Sequence, residues 1–166
     1  MSEVSTEIKV VRVGIAEGAV CSAPHHLRST GLGSCVGVVL WDPSTRLSGL
    51  VHVMLPSAPE REVAVPQKYA DTGVRWLLQR LLQQGGNRGR LRAKIAGGAQ
   101  MFVSASKADV MRIGPRNVEA VLNELEACGV LLESHDVGGN VGRTVEFDSL
   151  TGMLQVRTAT KGIYQI

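Results

Sequence analysis

The chain has 166 residues, of which 44% are hydrophobic and 20% charged, and its net charge is +3. This length suits one domain that buries roughly 70% of its unfolded surface, so the core needs neither a disulfide nor a metal. The basic residues are scattered and not interleaved with aromatics, which argues against nucleic-acid binding. No apolar run approaches the roughly 20 residues that a spanning helix requires, so we expect no membrane insertion.

The first half of the chain is predicted to be rich in strands. One or two short strands are expected within residues 8–20, followed by a polar connection over residues 21–30. Two β-branched, apolar segments come next, and the sequence Asp-Pro-Ser-Thr between them is a strong turn signal. These segments predict strands over residues 35–41 and 50–55.

The second half of the chain supplies two helices. Apolar residues recur at helical spacing between residues 68 and 84, and again after Pro115. A polar loop is expected over residues 104–114, and further strands over residues 91–95, 130–137, 143–147 and 152–160. Two main helices among mostly antiparallel strands indicate an α+β or mixed α/β layered sandwich.

The cysteines and the N-terminus indicate the compartment. Cys21, Cys35 and Cys128 do not form the pairs that structural zinc sites use. The N-terminus lacks a basic segment followed by an apolar one, so we expect no signal peptide and a cytoplasmic protein with reduced thiols. We expect residues 1–166 to form a single domain, with a short flexible tail at about residues 1–7.

Cys35 and His52 are predicted to meet across a hairpin. The turn signal is centred near position 44, and facing residues of an antiparallel pair are equidistant from that centre. Cys35 and His52 satisfy this condition within one position. They should therefore lie opposite each other or one place off, with Cβ atoms about 5 Å apart when directly opposed.

A thiol and an imidazole at this distance can act as nucleophile and base. A free thiol has a pKa near 8.5, and a nearby imidazole can accept its proton. Gly31, Gly33 and Gly37 surround Cys35 with small residues, which lets a substrate approach and leaves backbone N–H groups for an oxyanion.

A third group usually orients the imidazole of such a pair. Ser29, Thr30 and Ser34 carry the nearest hydroxyl groups in the sequence. From the residues alone, Cys35 and His52 could also be buried packing residues, since free cysteine is among the most often buried residue types. The pair would equally suit a cysteine peptidase or an acyltransferase, and a binding module would need neither side chain.

Other reactive side chains are expected to be structural. Cys21 and Cys128 have no neighbouring base in the sequence, which favours buried thiols. A metal site formed by His25, His26 and His135 lacks acidic or cysteine partners at ligand spacing, which favours solvated loop residues. We therefore expect no metal ion.

Six segments, taken together, resemble one family. They are GLGSCVG at residues 31–37, GLVHVMLP at 49–56, KYAD at 68–71, AKIAGGAQMF at 93–102, IGPRN at 113–117 and DVGGN at 136–140. Their order and content are similar to those of the CheD family, the chemoreceptor glutamine deamidases of bacterial and archaeal chemotaxis.

The resemblance implies a hydrolase that converts receptor glutamine side chains to glutamate and needs no cofactor. The family uses a Cys–His–Thr triad on a layered α/β fold. Carried over by position, the cysteine is Cys35 and the histidine is His52. The family threonine corresponds to Ser29, and Thr30 stands one place later, so either hydroxyl could orient His52, with Ser29 the preferred candidate.

The resemblance also implies partners. The substrate would be the cytoplasmic helical domain of a chemoreceptor, and family members bind a CheC-type phosphatase in some organisms. The alternative function is a non-catalytic chemotaxis adaptor that binds receptors or such a phosphatase.

Overall fold

The computed structural model describes residues 7–101 and 112–166. Within these ranges it contains two α-helices, one short 3-10 helix and ten strands. The tail expected at about residues 1–7 lies outside the described residues except for Glu7, as does the polar loop expected over 104–114 except for its last three residues. No helix in the described part of the chain is both long and apolar enough to cross a membrane.

The strands form two five-stranded sheets. They are β1 Val10–Arg12, β2 Gly18–Ser22, β3 His26–Leu32, β4 Val36–Trp41, β5 Leu47–Val53, β6 Arg92–Gly97, β7 Leu131–Val137, β8 Arg143–Asp148, β9 Leu154–Thr158 and β10 Gly162–Gln165. The first sheet has the order β1-β3-β8-β9-β10 and the second has the order β2-β5-β4-β6-β7. Neighbouring strands are antiparallel except for β1–β3 and β6–β7.

The helices cover one face of the second sheet. They are α1, Ala70–Gln83, and α2, Ile113–Cys128, and the 3-10 helix Pro66–Lys68 precedes α1. Val38 and Val51 of the sheet pack with Leu77 of α1 and Val121 of α2 in one buried cluster. Because successive strand residues point to opposite faces, the neighbours of Val38 and Val51 face the other way.

The other face of the second sheet packs on the first sheet. Val39 and Leu50 from the second sheet share a buried cluster with Leu27 and Phe147 from the first. The order of layers is therefore helices, second sheet, first sheet. This arrangement confirms the predicted α+β layered sandwich of mostly antiparallel strands with two main helices.

The predicted polar connection over residues 21–30 is wrong. Strand β2 runs to Ser22, and most of the remaining segment belongs to β3. The polar residues of β3 occupy the outer face of the first sheet, where His26 Nδ1 and Arg28 Nη1 lie 2.9 and 3.2 Å from the Glu146 carboxylate. Leu27 and Ser29 point inward and are buried. The strand therefore alternates between outward and buried side chains, but the buried side includes the polar Ser29.

The turn between β4 and β5 is organised by a fully buried carboxylate. Asp42 accepts a hydrogen bond from the Ser44 N–H at 2.9 Å and pairs with the Arg90 guanidinium at 3.2 Å. Burial alone would raise the pKa of Asp42, but the hydrogen bonds from Arg90 and from backbone N–H groups outweigh it and the pKa lies below its usual range. This carboxylate therefore holds the connection that sets the β4–β5 register.

We expect Asp42→Ala to lower the free energy of unfolding by about 2–4 kcal/mol, because it leaves buried donors without an acceptor. Urea unfolding followed by circular dichroism measures this loss. The matched control is Asp148→Ala: Asp148 also accepts turn N–H groups, from Leu150 at 2.9 Å and Thr151 at 3.4 Å, but is 30% exposed. Its loss should be about 1 kcal/mol, and equal losses in the two variants would contradict the assigned role of Asp42.

Candidate active site

Cys35 and His52 lie on the same face of the second sheet, but they are two places off, not directly opposite or one place off as predicted. His52 is opposite Gly37, and the last ladder pair at this end joins Val36 to Val53. Cys35 directly precedes β4 and is two positions from the residue that faces His52. The turn is centred between residues 44 and 45, because β4 and β5 pair as far as Trp41 and Ser48. An offset of two keeps both side chains on one face, as diagonal neighbours with Cα atoms about 7–8 Å apart.

That shared face is the one that meets the first sheet. Leu50, two residues before His52, belongs to the buried cluster between the sheets, and Cys35 packs against the same cluster. His52 is completely buried, whereas Cys35 is partly exposed. The candidate site therefore lies between the sheets at the open end of the β4–β5 hairpin.

Ser29 reaches His52 from the opposite sheet. Its Oγ lies 2.8 Å from His52 Nδ1, and it donates a hydrogen bond to the main-chain oxygen of Val13 at 2.7 Å. A hydroxyl has one hydrogen, and the Val13 carbonyl can only accept. His52 Nδ1 therefore carries a hydrogen and donates it to Ser29, which leaves the lone pair of neutral His52 on Nε2.

Burial keeps His52 neutral. Loss of solvent lowers the pKa of His52 to about 4, well below its ordinary value of 6.5. Nε2 is buried and has no hydrogen-bond partner among the described residues. At neutral pH this side chain is thus an oriented imidazole with an unprotonated nitrogen, which is the state that a general base requires.

The turn that carries Cys35 is held by the segment after β6. The N–H of Gly98 donates to the Cys35 carbonyl at 2.8 Å, and the N–H of Ala99 donates to the Gly33 carbonyl at 2.8 Å. Gly97 has φ +118°, and a Cβ on it would lie 2.2 Å from the Cys35 oxygen, so only glycine fits there. Burial raises the pKa of the Cys35 thiol, and a hydrogen bond involving the backbone of Cys35 offsets part of this effect.

Of the candidate hydroxyl groups, the structure brings that of Ser29 to His52. Thr30 is exposed and lines a surface cleft with Arg12, Arg28 and Glu146. Residues 29 and 30 are neighbours in a strand, so their side chains point to opposite faces of the sheet. The structure therefore places the hydroxyl of Ser29, and not that of Thr30, against His52.

Sequence reasoning missed two groups at this site. The Val13 carbonyl fixes the direction of the Ser29 hydroxyl, and no sequence pattern marks a backbone oxygen. Asn117 donates through Nδ2 to the main-chain oxygens of Ser34 and Met54, each at 2.9 Å. A signal for Asn117 was present, since it is the last residue of the segment IGPRN, but nothing in the helix pattern indicates that this residue is buried.

The remaining candidate side chains lie elsewhere. Cys21 Sγ is 3.3 Å from Ser149 Oγ, and Cys128 is buried in α2. His26 pairs with Glu146 on the outer face of the first sheet. Within residues 7–101 and 112–166, no group of three His, Cys, Asp or Glu side chains is placed to hold a metal ion.

Comparison with known proteins identifies the family. The family model described as CheD chemotactic sensory transduction matches residues 54–158. Curated relatives extend the similarity across the segment that holds Ser29, Cys35 and His52, because they align over nearly the whole chain. The chain belongs to the CheD family, as the resemblance of its motifs predicted.

Three of these relatives show how far the similarity extends. The probable chemoreceptor glutamine deamidase CheD of Oceanobacillus iheyensis is 46% identical over 98% of this chain and 99% of its own. The protein of the same name from Geobacillus kaustophilus is 48% identical over 95% of this chain and 98% of its own. The chemoreceptor glutamine deamidase CheD of Halalkalibacterium halodurans is 46% identical over 95% and 98%, respectively.

The burial of His52 predicts a specific loss of stability in acid. The unfolded chain binds a proton on this imidazole near pH 6.5, whereas the folded protein resists protonation until about pH 4. This contribution is therefore complete above about pH 6.5 and declines as the pH falls, by about 3 kcal/mol at pH 4. Urea unfolding at a series of pH values should show this decline in the wild type, and His52→Gln should lack it.

His135→Gln is the matched control, because His135 is exposed. It should keep the pH dependence of the wild type. If His52→Gln loses as much stability as the wild type between about pH 6.5 and about pH 4, His52 is not the buried neutral group described here.

Proposed function

We propose that this protein is a protein-glutamine glutaminase that deamidates selected glutamine side chains of methyl-accepting chemotaxis receptors. The observation that carries the proposal is the His52 imidazole: Ser29 holds its Nδ1–H, and Nε2 is left with its lone pair on the face that Cys35 shares. The printed names of the relatives supply the substrate class. Pure binding would need neither a thiol nor an oriented imidazole.

The first half of the reaction forms a thioester. His52 Nε2 takes the proton of the Cys35 thiol, and the sulfur attacks the carboxamide carbon of a substrate glutamine. Backbone N–H groups of the turn around Cys35 stabilise the negative oxygen of the tetrahedral intermediate. The C–N bond then breaks, and the protonated His52 gives its proton to the departing ammonia.

The second half hydrolyses the thioester. His52 takes a proton from a water molecule, which attacks the thioester carbon, and the C–S bond breaks to release glutamate and the Cys35 thiol. Ser29 accepts from Nδ1–H throughout and so keeps Nε2 directed at the reacting atoms. The sum is one carboxamide and one water converted to one carboxylate and one ammonium ion, with no metal or organic cofactor.

The substrate defines where the protein acts. We propose that the cytoplasmic helical domain of a chemoreceptor presents the glutamines, so the protein would work in the cytoplasm. A CheC-type phosphatase is a second proposed partner. The competing function, an adaptor without activity that binds receptors or such a phosphatase, predicts binding that is independent of Cys35.

Removal of the thiol is the direct test of the proposed function. We expect Cys35→Ala to abolish deamidation of a cognate receptor fragment, because no other group in the site can form the thioester. Mass spectrometry should detect a gain of about one dalton per modified glutamine, with ammonia release, only with the intact thiol. Cys21→Ala is the matched control, since Cys21 is also partly buried but bonds to Ser149, and it should keep wild-type activity.

Three results would contradict the proposal in different ways. Full activity of Cys35→Ala would exclude the thioester mechanism. Receptor binding by both wild type and Cys35→Ala without any deamidation would favour the adaptor. Cleavage of the receptor backbone would indicate a peptidase built on the same two side chains.

The role of the Ser29 hydroxyl is tested by comparing its removal with removal of the neighbouring Thr30 hydroxyl. We expect Ser29→Ala to lower kcat by about 10- to 100-fold, because His52 loses the acceptor that sets its tautomer and direction. Thr30→Ala should stay within about twofold of the wild type, since that side chain is exposed. Ser29→Thr keeps the hydroxyl and should retain most of the activity. A larger loss in Thr30→Ala than in Ser29→Ala would reverse the assignment.

A further inference from the structure

Asn117 is a fully buried amide at the open end of the β4–β5 hairpin. It lies near the start of α2, and its Nδ2 donates to the Ser34 and Met54 carbonyls at 2.9 Å each. Ser34 directly precedes Cys35, and Met54 is two residues beyond His52. One side chain therefore links the turn that carries the candidate nucleophile to the strand end that carries the candidate base.

The orientation of this amide follows from its neighbours. Both atoms that contact Nδ2 are carbonyl oxygens, which accept but cannot donate, so the NH2 group must face them. The other amide atom, Oδ1, is buried and lacks a partner among the described residues. A buried acceptor without a partner costs about 1–3 kcal/mol, which a leucine would avoid. The two donated hydrogen bonds are therefore the feature that requires an amide here.

The position of the two bonds explains why they are needed. The β4–β5 ladder ends at Val36 and Val53. Beyond this pair, the segments that hold Ser34 and Met54 have no mutual strand pairing to keep them together. Asn117 connects the two segments at this point, so its two hydrogen bonds take the place of the next backbone pairing between them.

The helix that carries Asn117 packs against the segment after β6, which holds the turn. A Cβ on Gly114, one turn earlier, would lie 2.3 Å from the Ala99 carbonyl. Ala99 in turn donates its N–H to the Gly33 carbonyl. Helix α2 thus packs closely against the segment that holds the turn, and this contact fixes the position of Asn117.

We propose that Asn117 is a positioning residue that sets the separation between Cys35 Sγ and His52 Nε2. The inference rests on the proposed function, because it assigns Asn117 a role in that same reaction. Without the bridge, the turn and the strand end can move apart, and the thiol leaves the reach of the imidazole. Such a loss affects the chemical step and leaves substrate binding largely intact.

The test measures deamidation kinetics of a receptor fragment by wild type and Asn117→Ala, well below the unfolding temperature. We expect kcat to fall at least about tenfold, with KM within about threefold. Asn123→Ala is the matched control, because Asn123 is exposed on the same helix. Ser149→Ala controls for general destabilisation, since it removes a 2.7 Å hydrogen bond to buried Ser48 among residues that the site does not use.

A second variant separates positioning from folding. In Asn117→Asp the ionised carboxylate cannot donate to either carbonyl, but the protonated carboxyl can donate to one of them. Burial beside two oxygens raises the pKa of the new carboxyl. The activity of this variant relative to wild type should therefore rise at least about threefold as the pH is lowered from about 8 to about 6.

Each outcome decides the question. A kcat of Asn117→Ala within twofold of wild type, or a loss matched by Ser149→Ala, overturns the inference and leaves the proposed function standing. If Asn117→Ala does not fold, a flat relative pH profile of Asn117→Asp overturns it instead. An inactive wild type refutes the proposed function, and the inference with it.

Discussion

A hydrogen bond between Ser29 Oγ and His52 Nδ1 joins the two sheets at the candidate site. It lies in the layer between the two sheets, which is packed mostly with aliphatic and aromatic side chains. In such a layer, a buried polar group without a hydrogen-bond partner costs free energy, whereas in water it would bond to solvent. The direction of this bond is set because Ser29 donates its own hydrogen bond to the Val13 carbonyl and can therefore only accept from His52. A chain of three groups, ending on a backbone oxygen, therefore decides which nitrogen of His52 is basic, and the packing of the first sheet on the second keeps that chain in place.

The pKa shifts in this layer have a common physical origin. Burial raises the pKa of the Cys35 thiol and lowers the pKa of His52, so both shifts favour the neutral forms. In the absence of substrate, the two groups are therefore a thiol and an imidazole, rather than an ion pair. Since the thiolate is the reactive form of cysteine, a neutral Cys35 reacts slowly with passing electrophiles and oxidants. In the proposed mechanism, proton transfer to His52 is then needed at the moment of attack.

The sequence predicts that Cys35 and His52 lie near each other, but it does not predict every strand around them. Cys35 and His52 were predicted to lie opposite each other or one place off, and the observed offset is two. An offset of two, like an offset of zero, leaves both side chains on one face of the sheet, whereas an offset of one would not. Strand β3 was not predicted because its outward residues are polar and one of its inward residues is Ser29, which leaves little apolar pattern. The contacts of Asn117 were not predicted because its partners, Ser34 and Met54, are far away in the sequence and are contacted through their backbone.

The candidate site lies at the end of a hairpin, so its chain must be held by contacts other than the β4–β5 pairing. Past Val36 and Val53 the pairing of β4 with β5 no longer holds the chain. The structure meets this requirement with bonds from outside the hairpin: the N–H groups of Gly98 and Ala99 hold the turn. The amide of Asn117, buried in α2, ties that turn to the end of β5. The partly exposed Cys35 is thus held from outside its own hairpin, by the segment after β6 and by α2.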